Sequence, residues 1–340
     1  KFSYNSPLVF NGNVASFDHR GTIFIYSIDE KKKLLEYNFY KKKFKKYKKE
    51  IFLIIKNNIL YAADNLGYVY AIDINSNNLL WAKNFGIPFR SNLKIFNENL
   101  FLANQDNIIY SVNIKTGVKN WQFATNNSFL NADFKNNIII DSNYNLLFLN
   151  TSGELYSINT QSRNINWLMN FTKSSSVEKK DVFKSVPLVA SKKNVIVTTD
   201  KLLASFDLSV ESKLWEKYLS TKIKPTITKD NLFVLSKKEY LICLDNNTGD
   251  IIWSKSLIKQ ISSKNKKLNM NKIGEIVNLS IADNSILLFS SQGYILFFDF
   301  KTGDLKNIIK IKRSTINSDP VFSNGYIYFF NQKGKLIKYG

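Results

Sequence analysis

Apolar residues in this chain come in short runs, and polar residues punctuate them at a regular interval. The run Tyr68-Val69-Tyr70-Ala71-Ile72 mixes β-branched, aromatic and small side chains, which suits a pleated strand buried on both faces. An Asp or Asn follows each complete run, at Asp73, Asn113, Asn159, Asp207, Asp245 and Asp299. Its short side chain accepts backbone N–H groups two residues on and so starts a turn. Three copies continue as Thr-Gly (Thr116-Gly117, Thr248-Gly249, Thr302-Gly303), where glycine takes the positive φ that ends such a turn. The next strand carries a tryptophan.

This hairpin repeats. Segments starting at 67, 107, 153, 201 and 239 place Trp81, Trp121, Trp167, Trp215 and Trp253 in one column. Weaker copies start at Gly21, with Tyr37 as the displaced aromatic, at Gly293, with Asn307 in the column, and at Gly334, where the chain stops. The starts lie 38 to 54 residues apart, a period in the range of propeller blades. A further apolar strand pair precedes each hairpin, as in residues 51–64 ahead of Gly67, so each repeat predicts four strands. The expectation is an all-β, eight-bladed β-propeller of four-stranded antiparallel blades forming a single domain, residues 1–340. One tryptophan per blade, always on the same strand, reads as a wedge between neighbouring sheets; stacking on a cofactor does not suit five symmetry-related rings.

Composition narrows the chemistry. The one histidine, His19, lies at a turn, and the one cysteine, Cys243, shares a buried column with Ala71 and Ser205. One of each removes Cys/His zinc sites and disfavours Cys-His nucleophile pairs. No phosphate-cradling glycine loop occurs, and no apolar run reaches the ~18–20 residues that span a bilayer. Paired carboxylates remain open, although the Asp column accounts for much of the acidic content. The reading is of a non-enzyme without cofactor or metal.

The net charge of +21 favours anionic surfaces, nucleic acid or lipid headgroups alike; a Lys- and Asn-rich compositional bias explains it equally. The densest run, residues 41–50, interleaves seven lysines with Phe44 and Tyr47, a pattern able to bind single-stranded nucleic acid or lipid. It lies where one blade hands over to the next and reads as a solvated connecting loop, as does the lysine-rich stretch 262–272.

The pattern A/S-x-D/N-x-x-T-G-x-x-x-W resembles the repeat of the PQQ-type β-propellers. That group holds the quinoprotein dehydrogenases and the BamB-like outer-membrane protein assembly factors. Eight repeats, compact length and the lack of a cysteine pair resemble the BamB-like factors. The resemblance implies a scaffold of the BAM complex in a Gram-negative bacterium. It would be periplasmic, outer-membrane-associated and held by an N-terminal lipid anchor upstream of this chain. Its partners would be the POTRA domains of a BamA-like subunit and other assembly subunits, with no nucleic acid. The family's partner-binding elements correspond to residues 126–134, with Phe129 and Leu130 as the apolar element, and 174–187, with Asp181 as the first acid. Phe183 stands in the second acidic place, and the arginine that the family places beside the leucines has no counterpart. Both stretches also read as ordinary connecting loops. A small quinoprotein oxidoreductase and a basic propeller for anionic polymers or lipid are the alternatives.

Propeller rings usually seal with a strand from the other terminus. Lys1–Asn5 or residues upstream of them are expected to complete the eighth blade, and the start at Lys1 without Met reads as a processed or trimmed product.

Overall fold

The computed structural model describes residues 7–41, 44, 46–126, 137–171, 187–199, 201–210, 212–311, 315–316, 318–331 and 335–340. Its strands form consecutive antiparallel sheets, each a meander in chain order, at residues 8–38, 51–84, 94–124, 137–170, 189–217, 226–256, 276–310 and 321–339. The chain is an all-β, eight-bladed β-propeller of four-stranded blades, here numbered 1 to 8. Blade 8 has three strands among the described residues (Val321–Ser323, Tyr326–Phe330 and Leu336–Tyr339). The expected sealing strand, Lys1–Asn5, lies outside the described residues.

Two compact units divide the chain. One comprises Lys1–Phe183, Val321–Tyr328 and Lys338–Gly340, the other Lys184–Pro320 and Phe329–Ile337. Within the first, blade 2 shows why the strands are apolar throughout. On Ile59–Asp64 and Tyr68–Asp73, the residues Leu60, Ala62, Tyr70 and Ile72 pack against blade 1. The alternate residues Tyr61, Ala63, Val69 and Ala71 pack against blade 3. Side chains alternate along a strand, so a sheet with a neighbour on each face has no polar side to show. The second unit repeats this: Leu232, Val234, Ile242 and Leu244 of blade 6 meet blade 5, while Phe233, Leu235, Leu241 and Cys243 meet blade 7.

All five tryptophans lie on the fourth strand of their blade. Trp81 leaves blade 2, donates from Nε1 to the carbonyl of Ile114 in blade 3 at 2.9 Å, and covers the Thr-Gly turn there. A Cβ added to Gly117 would stand 2.4 Å from the Trp81 ring. Trp215 donates to Asn246 at 3.0 Å and covers Gly249, and Trp253 covers Gly303. The turn glycines therefore answer two demands: positive φ, +70 at Gly117, and the flat approach of a ring from the preceding blade. Trp121 packs in the core that blades 3 and 4 share.

Register shows what the tryptophan column faces and what fills it in blade 1. Across the third strand the tryptophan column faces small residues, with Trp81 opposite Ala71, Trp121 opposite Ser111, Trp167 opposite Ser157, Trp215 opposite Ser205 and Trp253 opposite Cys243. A register shift follows each pair. In blade 1 the same place is held by Leu35 opposite Ile25, not by Tyr37, which pairs with Ile23. The pair keeps its combined bulk: a large ring over a small residue, or two aliphatic side chains.

The stretch 262–272, expected as a loop, is largely folded. Helices Leu257–Lys264 and Met270–Ile273 bridge blades 6 and 7, and Leu257, Ile261 and Ile273 are buried in the core between those blades. No helix among the described residues is long and apolar enough to cross a membrane.

Candidate partner-binding surface

Each blade has two ends. One end carries the turn between its second and third strands together with the connection leaving its fourth strand. The stretches 126–134 and 174–187 leave the fourth strands of blades 3 and 4, Lys119–Ala124 and Ile165–Asn170. Phe129, Leu130, Asp181 and Phe183 lie outside the described residues. The roots of both stretches are described, and they converge.

Asn126, at the start of the first stretch, donates from Nδ2 to Glu154 Oε1 at 2.8 Å. Asn170, ahead of the second, donates to the same oxygen at 3.3 Å. Glu154 begins the third strand of blade 4 and is only 6 % exposed. Its other oxygen accepts from Asn150 Nδ2 at 2.9 Å and from the Tyr156 hydroxyl at 2.8 Å. Burial, with the bond to Glu154 second, pushes the Tyr156 phenol up to about 12, so it keeps its proton and donates. No ion pair to Glu154 occurs among the described residues; four neutral donors satisfy the carboxylate instead.

Asn107 adds a second brace between the same blades. It occupies the repeat-start position that glycine fills in other blades, at φ +61. Its Nδ2 donates to Thr151 Oγ1 at 2.8 Å, and the Thr151 amide donates back to Oδ1 at 3.2 Å. Thr125 Oγ1 donates to the Asn107 carbonyl at 2.9 Å. The Phe171 amide donates to the Gly153 carbonyl at 2.9 Å, which fixes the backbone where the second stretch departs.

The basic run 41–50 is less uniform than a solvated loop. Lys49 is 0 % exposed. Its ammonium donates to the carbonyls of Phe44 and Tyr47 and lies 4.7 Å from the centre of the Tyr40 ring. The Tyr40 hydroxyl donates to buried Asp64 at 2.5 Å, and Asp64 also accepts the Leu66 and Tyr68 amides. Burial raises the Asp64 carboxyl and lowers the Lys49 ammonium from their ordinary values. Phe44 packs into the core of blades 1 and 2. The run is thus a strap tied down by one of its own lysines.

Both turn columns have a mechanism. Asp73, Asn113, Asn159, Asp207, Asp245 and Asp299 each accept two backbone amides, two and three residues on. A second column, which sequence reasoning missed, stands three residues before the repeat starts. Asp18, Asp64, Asn104 and Asn150 accept amides two and four residues on, and Ser236, Ser290 and Asn331 accept the amide four residues on. The signal was present as an Asp/Asn/Ser position in the same alignment.

Among the described residues no three His, Cys, Asp or Glu side chains could jointly hold a metal ion. Cys243 is buried opposite Trp253, and burial pushes its thiol up to about 11, which describes a packed thiol.

The sequence profile of the family described as "Outer membrane protein assembly factor BamB" matches residues 9–255. The protein of that name from Shewanella oneidensis is 21% identical over 328 residues, spanning 82% of this chain and 81% of that one. Its namesake from Moranella endobia is 18% identical over 321 residues, spanning 83% and 75%. The crystal structure of BamB from Moraxella catarrhalis superposes with a TM-score of 0.76 at 14% identity, covering 99% of this chain and 96% of that one. The computationally designed Ika8 protein superposes with a TM-score of 0.73 at 14% identity, covering 100% and 97%. A designed propeller fits nearly as well as a natural one, so these superpositions speak to the fold alone.

Proposed function

Because this chain belongs to the family of the outer membrane protein assembly factor BamB, we propose that it is a non-catalytic adaptor in outer-membrane β-barrel assembly. It acts in the periplasm, associated with the outer membrane, and docks on the POTRA domains of a BamA-like subunit. The contact runs through residues 126–134 and 174–187, with Phe129, Leu130, Asp181 and Phe183 as the proposed contact residues.

The observation that carries this reading is the shared root of the two stretches on Glu154 Oε1. An adaptor gains affinity when its contact loops leave a rigid frame, because less conformational entropy is lost on binding. A buried carboxylate held by four neutral donors is such a frame.

The test is the affinity of the purified chain for the POTRA region of a BamA-like protein. An Asp181→Lys/Phe183→Ala variant with unchanged folding is expected to bind at least ~10-fold more weakly. Failure of the folded parent chain to bind at high concentration contradicts the reading.

A further inference from the structure

The connection between blades 6 and 7 is built as a presented surface. From Ser254 to Gly274 it holds six lysines (255, 259, 264, 266, 267 and 272) and no Asp or Glu. Helix Leu257–Lys264 starts on Ser256, whose hydroxyl accepts the Lys259 amide, and Asn269 caps helix Met270–Ile273. Leu257, Ile261 and Ile273 face inward and are buried.

Polar contacts fix the insertion at both of its ends. The Leu257 amide donates to the Glu239 carbonyl at 2.9 Å. Glu239 sits at φ +60, in the repeat-start position that glycine takes in blade 7. Its carboxylate pairs with Lys222 at 2.6 Å, and Lys222 reaches Glu275, just past the second helix, at 3.9 Å. Gln260 accepts the Leu305 amide at 2.9 Å, which ties the first helix to the outer strand of blade 7. Lys255 is neutralised by Asp304 at 2.7 Å.

The remaining cations are outward. Lys259, Lys264, Lys266, Lys267 and Lys272 are exposed and form no ion pair among the described residues. Ile258, next to Lys259 on the exposed side of the helix, is 56 % exposed. A folded basic insertion that also exposes an aliphatic side chain is complementary to a layer of phosphate headgroups over acyl chains.

We propose that this helical insertion is a docking surface for an anionic phospholipid membrane. The lysines meet headgroup phosphates and Ile258 enters the headgroup–acyl boundary. A single-stranded nucleic acid is disfavoured because residues 254–274 contain no Phe, Tyr or Trp on which bases could stack. They contain no arginine either, the side chain whose planar fork recognises discrete phosphates bidentately. Point-like, hydrated lysine charges suit a diffuse anionic plane.

Co-sedimentation of the full chain with vesicles tests this without any protein partner. Binding is expected to vesicles of phosphatidylcholine with phosphatidylglycerol, and not to phosphatidylcholine alone. At about one factor of five per lysine, Lys264→Glu/Lys266→Glu/Lys267→Glu weakens partitioning by roughly two orders of magnitude or more. A control with the same net charge on exposed turns at the opposite end of the blades, Lys193→Glu/Lys229→Glu/Lys301→Glu, keeps most of the binding. Ile258→Ser weakens it by roughly tenfold, and circular dichroism checks that every variant is folded.

Equal loss in both triple variants makes the +21 charge of the whole chain responsible and overturns the proposal. Unchanged binding by Ile258→Ser reduces the contact to electrostatics with any polyanion and overturns it too, as does failure of the folded parent chain to bind anionic vesicles.

Discussion

Asn126, just past the fourth strand of blade 3, and Asn170, the last residue of the fourth strand of blade 4, donate to one and the same carboxylate oxygen, Oε1 of Glu154. Two stretches that are far apart in sequence therefore share a foundation, and neither can shift at its root without disturbing the other. The bond network is local, but its consequence is for the surface the two stretches present.

Glu154→Ala tests that foundation. It strands four donors in a buried site, and leaving such groups unpaired costs roughly 1–3 kcal/mol each before water relieves part of it. A net loss on the order of 3 kcal/mol is expected in urea unfolding. Affinity for the POTRA region falls as well, although residues 126–134 and 174–187 are untouched. A stable variant with parental affinity disconnects Glu154 from binding.

The ring of Trp81 on Gly117 yields a sharper structural test. Gly117→Ala forces a Cβ to 2.4 Å from the ring at a backbone φ of +70. Strain and overpacking together cost about 2–4 kcal/mol. Arg163 marks the contrasting case. It stands in the matching turn of blade 4 at φ +67, so Arg163→Gly relieves backbone strain and stabilises by up to ~1 kcal/mol. Thermal unfolding of the two variants should shift in opposite directions.

The cluster under the basic strap carries a pH signature. Burial raises the carboxyl of Asp64 in the folded chain. Its contribution to stability is thus fully present below the ordinary carboxylate value of 3.8 and is lost as pH rises through the raised value. Lys49 is lowered, so its contribution grows as pH climbs above its folded value toward 10.5. Between pH 4 and 7 the carboxyl governs. Comparing parent and Asp64→Asn by urea unfolding, the parent should gain relative to the variant as pH falls from 7 to 4. A constant difference across that range contradicts the assignment.

Much of the fold was legible because a propeller writes the same local rules again and again. Strand, Asx turn, Thr-Gly and tryptophan recur at matched spacing, and each element lands where the repeat puts it, down to the fourth-strand position of Trp81 and Trp253. Legibility failed where one blade departs from the others. Tyr37 stands out in the sequence as an aromatic two places past the tryptophan column, and only cross-strand register shows that the column itself is filled by Leu35 over Ile25. Lys49 looked like one solvated lysine among seven, and only the fold brings Tyr40 and Asp64 to it. The helices at 257–273 were hidden because lysine and asparagine dominate the stretch, while the buried face rests on just Leu257, Ile261 and Ile273. Glu154 gave no signal, since its four donors come from separate segments of blades 3 and 4.

The adaptor reading is tested most directly by site-specific photo-crosslinking in cells that assemble outer-membrane barrels. A photoreactive side chain is placed at Phe129, at Phe183, or at Tyr144, which is 59 % exposed in the turn between the first two strands of blade 4, at the other end of that blade. The account predicts crosslinks from positions 129 and 183 to the POTRA-bearing subunit, and none from position 144. Crosslinks to that subunit from Tyr144 alone, or from no position in a folded and expressed chain, would contradict it.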